Sequence, residues 1–246
     1  MNKALTLALS LLIFISCNKN ASHVDSVKFE NPYSSFGQQH NDLLILANKN
    51  QDKSTKSLES IFNAMVTLVE KNNNEKYELS LDETLEIIEK FNGETISSYA
   101  KQLNQDALIN EGQLKKLIEL DGILATESSE QNMIKEIRDF DFSVANDNSM
   151  TEPEKKLIYI ASSVARSSSE FWASNQNTFL NDNGNKASCK RRWCIAALDV
   201  VGAVAGAVGI SGTPIVDAVV LSALASVAGK CCFCCPGSCP NVEGLC

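Results

Sequence analysis

The sequence predicts an all-α protein, and three observations carry that prediction. Apolar residues recur at three- and four-residue spacing from about Gln38 to Trp172. Ser or Thr followed three residues later by Glu or Gln opens several of these stretches, as in Ser80-Leu81-Asp82-Glu83. No segment before residue 180 alternates apolar and polar residues between hairpin turns.

The helices follow in order. A first pattern starts at Gln38 and sets Leu43, Leu44 and Ala47 on one stripe. A second, Ser54 to Lys71, carries Leu58, Ile61, Phe62, Met65, Val66 and Val69 and stops at Asn72-Asn73-Asn74. The Ser80 capping box opens a third, with Leu81, Leu85, Ile88 and Phe91, which Asn92-Gly93 ends. Further helices are expected over 94–107 and over 112–126, where Leu114, Leu117, Ile118 and Leu120 point inward, and Ser128 to Gln131 offers a second box before one over 131–142. Thr151-Glu152-Pro153-Glu154 is the clearest start: an N-cap Thr, a Pro in the first turn, and acids facing the helix N-terminus. Leu157, Ile158, Ile160, Ala161, Val164, Phe171 and Trp172 follow on that helix.

The N-terminus reads as export. Met1 to Ser16 has a short positive start at Lys3 and an apolar run from Leu5 to Ile15, too short for a good transmembrane helix. Phe14-Ile15-Ser16-Cys17 resembles the bacterial lipoprotein lipobox, which implies that Cys17 becomes the lipidated first residue of the mature chain and anchors it to membrane lipid. Localisation is then the bacterial cell envelope, at the outer membrane or cell surface. Residues 17–36 read as the lipidated Cys and a flexible tether, 37–174 as an acidic all-helical domain, 175–187 as an Asn-rich linker open to proteases, and 188–246 as a separate Cys-rich module.

That last module concentrates the unusual chemistry. Ile195 to Gly229 contains only two charges, Asp199 and Asp217. Ser211-Gly212-Thr213-Pro214 breaks it into two helices of roughly 15 to 17 residues, about 22 to 25 Å each, against a bilayer core of about 30 Å. Two helices joined by a short turn lie antiparallel. Cys189 and Cys194 then sit beside the cluster of Cys231, Cys232, Cys234 and Cys235, with Cys239 and Cys246 beyond. In an exported chain these eight cysteines read as disulfides, and a bridge closing the hairpin restricts the unfolded state by roughly 3 to 4 kcal/mol. The C-x2-C spacing of Cys231 with Cys234 and of Cys232 with Cys235 is a zinc half-site, but pairs that overlap as CCFCC suit a tetrahedral ion poorly, so no metal is expected. Gly202, Gly206 and Gly209 fall at close-packing intervals along the first helix. Both helices are apolar nearly all round, which means burial either in protein or in lipid.

The rest of the chain offers little chemistry. Of the two histidines, His23 lies in the tether and His40 opens the first helix, where capping or partial burial is the ordinary role. No HExxH, GxSxG, Gly-rich phosphate loop or paired-carboxylate motif occurs. No catalytic residue, enzyme activity or cofactor is therefore expected. The formal charge is -8, and residues 186–246 carry a net +2, which leaves about -10 on the remainder. An acidic body of this kind argues against nucleic-acid binding.

An acidic exported helical region followed by an apolar, cysteine-dense tail ending Gly244-Leu245-Cys246 resembles halocin C8-type bacteriocin precursors. The resemblance covers about the last 60 residues, and the lipobox is a departure from it. It implies an upstream immunity region and a released antimicrobial tail, and the expectation built on it is a lipid-anchored precursor whose acidic body sequesters a membrane-active, disulfide-closed tail. The contrasting expectation is a structural or protein-binding envelope lipoprotein, whose hairpin is packed core or a docking surface for another envelope protein.

Overall fold

The computed structural model describes residues 29–51, 58–90, 94–126, 129–179, 192–209 and 214–229. Nine helices fill nearly all of them, and no strand occurs among the described residues. They are α1 (Ser34–Gln51), α2 (Leu58–Asn73), α3 (Leu81–Lys90), α4 (Ile96–Gln105), α5 (Glu111–Ala125), α6 (Glu130–Ala145), α7 (Glu152–Phe179), α8 (Arg192–Ala207) and α9 (Pro214–Gly229).

Local sequence sets most of the helix ends. Ser80 N–H donates to Glu83 Oε2 at 2.8 Å while Glu83 N–H donates to Ser80 Oγ at 3.3 Å, the reciprocal box expected there. At the start of α7, Thr151 donates from N–H and Oγ1 to Glu154 Oε2. Asn110 with Gln113 caps α5, and Thr95 with Ser98 caps α4. For α6 the cap is Ser129, one residue after the expected Ser128, and it accepts from Asn132 N–H. At the far end of α6, the buried Lys155 ammonium donates to the Ala145 carbonyl at 3.0 Å, a cation where the helix dipole favours one.

Helices α8 and α9 form the centre. Contacts of α8 residues Gly202 and Gly206 run to Leu221–Ser222 and Asp217–Ala218 of α9 respectively, so the two helices are antiparallel. One side of the pair, α9, packs on α1, α2 and α3; the other, α8, packs on α7, α4 and α5. Helix α7, 28 residues and about 42 Å long, runs beside α8 and also supports α1, α5 and α6. Its residues Ser162, Ser163, Ser167, Ser168 and Ser169 are all buried, which lets neighbours approach closely. A Cβ on Gly37 of α1 would lie 2.3 Å from the Ser163 carbonyl oxygen, so only glycine fits that crossing.

Three boundaries differ from the sequence expectation. The tether does not extend to residue 36: Asn31 is buried, α1 begins at Ser34, and the Phe29 and Tyr33 rings pack on Tyr159. A polar stretch can be anchored when its amide finds buried acceptors, and Asn31 Nδ2 lies 2.9 Å from the Tyr159 carbonyl oxygen. The Asn-rich linker begins later than 175, because α7 continues to Phe179; the rest of it lies outside the described residues. The apolar pair is not set apart from the body either. An all-apolar helix has no face that water tolerates, and here both are enclosed by the other helices.

Candidate functional site

The expected site residues fall in three groups. Cys17, Cys189, Cys231, Cys232, Cys234, Cys235, Cys239 and Cys246 lie outside the described residues, and Cys194 falls in the first turn of α8. Gly202 and Gly206 sit at the α8–α9 contact. A Cβ on Gly202 would approach the Leu221 carbonyl to 2.7 Å, and one on Gly206 would come within 2.2 Å of Ala218 N. Gly209 does not take part in that packing. It lies beyond the end of α8 with φ +82°, a conformation that favours glycine, and a Cβ there would meet none of the described residues within 4 Å.

Around this hairpin the fold assembles two buried polar knots. The first joins α1, α7 and α8. His40 and Asp199 are both wholly buried, with His40 Nε2 3.3 Å from Asp199 Oδ2, and Ser168 Oγ donates to the same carboxylate oxygen. Asn41 Nδ2 donates to the Ser167 carbonyl at 2.9 Å, which leaves Asn41 Oδ1 to accept from His40 Nδ1 at 3.0 Å. The Nδ1 proton is thus assigned, and a lone pair on Nε2 would face a carboxylate oxygen. The contact is electrostatic rather than a well-aligned hydrogen bond, and Asp199 Oδ1 has no hydrogen-bond partner. Ser, His and Asp meet here, but the hydroxyl donates to the carboxylate and not to the imidazole, and no part of the trio reaches solvent. The arrangement clasps the hairpin to the body; it does not build an activated nucleophile.

The second knot joins the segment before α1 to α6 and α7. Asn31 Nδ2 donates to Asp141 Oδ1 at 3.2 Å and to Ser162 Oγ at 3.1 Å, and Ser162 Oγ in turn donates to Asp141 Oδ1. Burial pushes the Asp141 carboxyl up to about 6, while the Ser162 hydroxyl, the Arg166 charge and the Asn31 amide restrain the rise. On the opposite side of the hairpin, burial first and the Asp217 charge in support raise the Tyr77 hydroxyl far above its ordinary value. Its OH donates to Thr84 Oγ1 at 2.8 Å, because the Thr84 hydroxyl is itself committed to the Ser80 carbonyl.

Between the two knots opens a cleft of about 620 Å³. Glu30, Asp42, Arg138, Arg166 and Glu170 line it, with Asn41 and Ser167 at its wall. None of the five charged side chains forms an ion pair or hydrogen bond among the described residues. Among those residues, too, no three His, Cys, Asp or Glu side chains converge as a metal centre needs, and no helix is long and apolar enough to cross a membrane.

Sequence reasoning missed both knots and the cleft. His40, Asp199 and Ser168 are far apart in the chain, and their only shared signal is a lone Asp inside an otherwise apolar helix, which implies a buried partner. No family model, no curated protein and no solved structure matches the chain, so its chemistry is read from its own residues.

Proposed function

We propose that the protein is a non-catalytic envelope lipoprotein, structural or protein-binding, exported by the 1–16 signal and held by acyl chains on Cys17. In this reading the C-terminal hairpin is the protein's own core, and bridges among its eight cysteines close the open end. The observation that supports it is burial: residues 216–227 of α9 are buried without exception beneath α1, α2 and α3. Deleting residues 187–246 is then expected to abolish cooperative melting of the remaining helices, followed by circular dichroism. A truncated chain that keeps its melting point would sink the core role.

The precursor reading has one observation in its favour. The same apolar hairpin lies inside a sheath of helices from an acidic body, as a sequestered peptide would. It requires a stable fragment beginning near Ala187 that permeabilises liposomes once oxidised. An intact mature chain, together with an inert synthetic tail, removes it. Mass spectrometry of the mature protein reports the cut, the bridges and the lipid on Cys17 in one measurement.

A further inference from the structure

The cleft beside α7 has a charge order that follows from how its helices run. Gly37 N–H donates to Ser163 Oγ and Asn41 Nδ2 to the Ser167 carbonyl, so α1 and α7 run in the same sense where they touch. Asp141 meets Ser162 and Met133 meets Ser169, so α6 runs against α7. That register puts Arg138 of α6 level with Arg166 of α7. It puts Asp42 of α1 level with residue 168 of α7, about 3 Å beyond Arg166, and Glu170 lies about 3 Å further along. Two guanidinium groups therefore stand toward one end of the cleft, the end where Glu30 lies next to Asn31 in the chain, and the Asp42 and Glu170 carboxylates lie further along.

None of these charges forms an ion pair or hydrogen bond among the described residues, and Arg166 has the Asp141 carboxyl near it on its buried side. Arg166 and Glu170 are four residues apart on one helix, the spacing at which opposite charges ordinarily meet, yet no ion pair forms between them. Arg166 is half-buried and Arg138 exposed, so both can be approached from solvent. A guanidinium pair is suited to a planar carboxylate through paired N–H donors. A carboxylate pair further along suits an ammonium group. An extended dipeptide places its two charged ends roughly 6 to 7 Å apart, which matches the step from Arg166 to Glu170.

We propose that this cleft binds a small dipolar ligand, a short peptide, with its carboxylate on Arg138 and Arg166 and its ammonium on Asp42 and Glu170. The inference goes beyond the envelope reading, which concerns anchoring and core and is tested on Cys17 and the tail, so either can fail alone. Isothermal titration of the full exported chain in detergent tests it, with dialanine as the dipolar probe, butyrate as an anion alone and butylamine as a cation alone. Dialanine is expected to bind at least about tenfold more tightly than either control. Arg138→Gln, at an exposed position, should weaken dialanine and butyrate together. Asp42→Asn combined with Glu170→Gln should reduce dialanine to the level of butyrate and leave butyrate unchanged. Dialanine that gives no heat up to about 10 mM overturns the proposal. So does butyrate binding as tightly as dialanine, or dialanine binding that none of these substitutions moves.

Discussion

The α8–α9 pair and the α4–α6 shell are held by different physics. Each shell helix is specified by its own residues: an amphipathic stripe, a side-chain cap at the start, and a defined stop. The central pair has almost no polar face and little local instruction beyond Pro214. It is held by backbone approaching backbone at Gly202 and Gly206, and by a clasp from Asp199 to His40 and Ser168. The difference teaches where damage should spread. A lost cap frays one helix, whereas a change at the central pair reaches every helix that packs on it.

The clasp should show the largest effect. Replacing His40 with Ala leaves the Asp199 carboxylate buried with Ser168 as its hydrogen-bond partner among the described residues, and losing one member of a buried pair costs roughly 3–5 kcal/mol. Chemical denaturation is expected to register a loss of that order. A joint His40→Leu and Asp199→Leu replacement should recover most of it, since two well-packed apolar groups can stand in for a buried pair. If His40→Ala costs no more than a surface substitution, the clasp holds nothing.

Close packing comes next. Gly206→Ala would drive a methyl into Ala218 N at 2.2 Å and the Asp217 carbonyl carbon at 2.3 Å. Both are backbone of a buried helix and cannot swing aside, so the helices must separate. A loss of about 3 kcal/mol, the upper part of the overpacking range, is expected in the same denaturation assay. Gly202→Ala, with its nearest contact at 2.7 Å, should cost less.

These two regions also differ in how much of them the sequence disclosed. Caps at Ser80 and Thr151 and stripes such as Leu117 with Leu120 are local patterns, and α2, α3, α5 and α7 follow them closely. The spacing of Gly202 and Gly206 was legible as packing, because glycine repeated on one side of a helix has few other uses. Gly209 shares the spacing but serves a turn, which only φ reveals. The buried serines of α7 carry no comparable local signal. A hydropathy pattern places Ser162, Ser163 and Ser168 outside, yet a hydroxyl is small and can satisfy itself on a nearby carboxylate or backbone group, so burial costs it little. The cleft was invisible because its charges come from α1 and the segment before it, α6 and α7, and no local pattern sets the register among them.

The pH dependence separates the buried knot on α6 from the caps of the shell. Asp141 has its folded value raised to about 6 from 3.8, so the folded state holds its proton more tightly than the unfolded state does. Stability should therefore rise as pH falls from 7 toward about 4, by at most roughly 3 kcal/mol. The exposed Glu83 and Glu154 behave oppositely. Hydrogen bonds from Ser80 and Thr151 depress them, so their contribution is present at neutral pH and lost as pH falls through their folded values. The two trends oppose each other, and maximum stability is expected on the acid side of neutrality, near about pH 5. Asp141→Asn should flatten the curve between 5 and 7 in thermal melts taken across pH. A wild-type curve that already rises monotonically to pH 7 would mean that Asp141 is not the controlling group.

The smallest effect has the opposite sign and gives the sharpest contrast with the core. Gly122 lies inside α5, and a Cβ there would meet nothing within 4 Å. The same Gly→Ala exchange that breaks the hairpin at 206 should stabilise the protein at 122, by about 0.5–1 kcal/mol, because alanine restricts the unfolded chain and favours helix. Ala107 is its mirror case. It follows the end of α4 with φ +57°, while Leu108 N–H reaches back to the Leu103 carbonyl at 2.9 Å, the closing motif in which glycine is the usual residue. Ala107→Gly should relieve the left-handed strain for a gain of about 1 kcal/mol, partly offset by the looser unfolded chain. If both shell changes raise the melting temperature while Gly206→Ala lowers it, then the space beside each Cα and the backbone angle decide the sign, and the residue type does not.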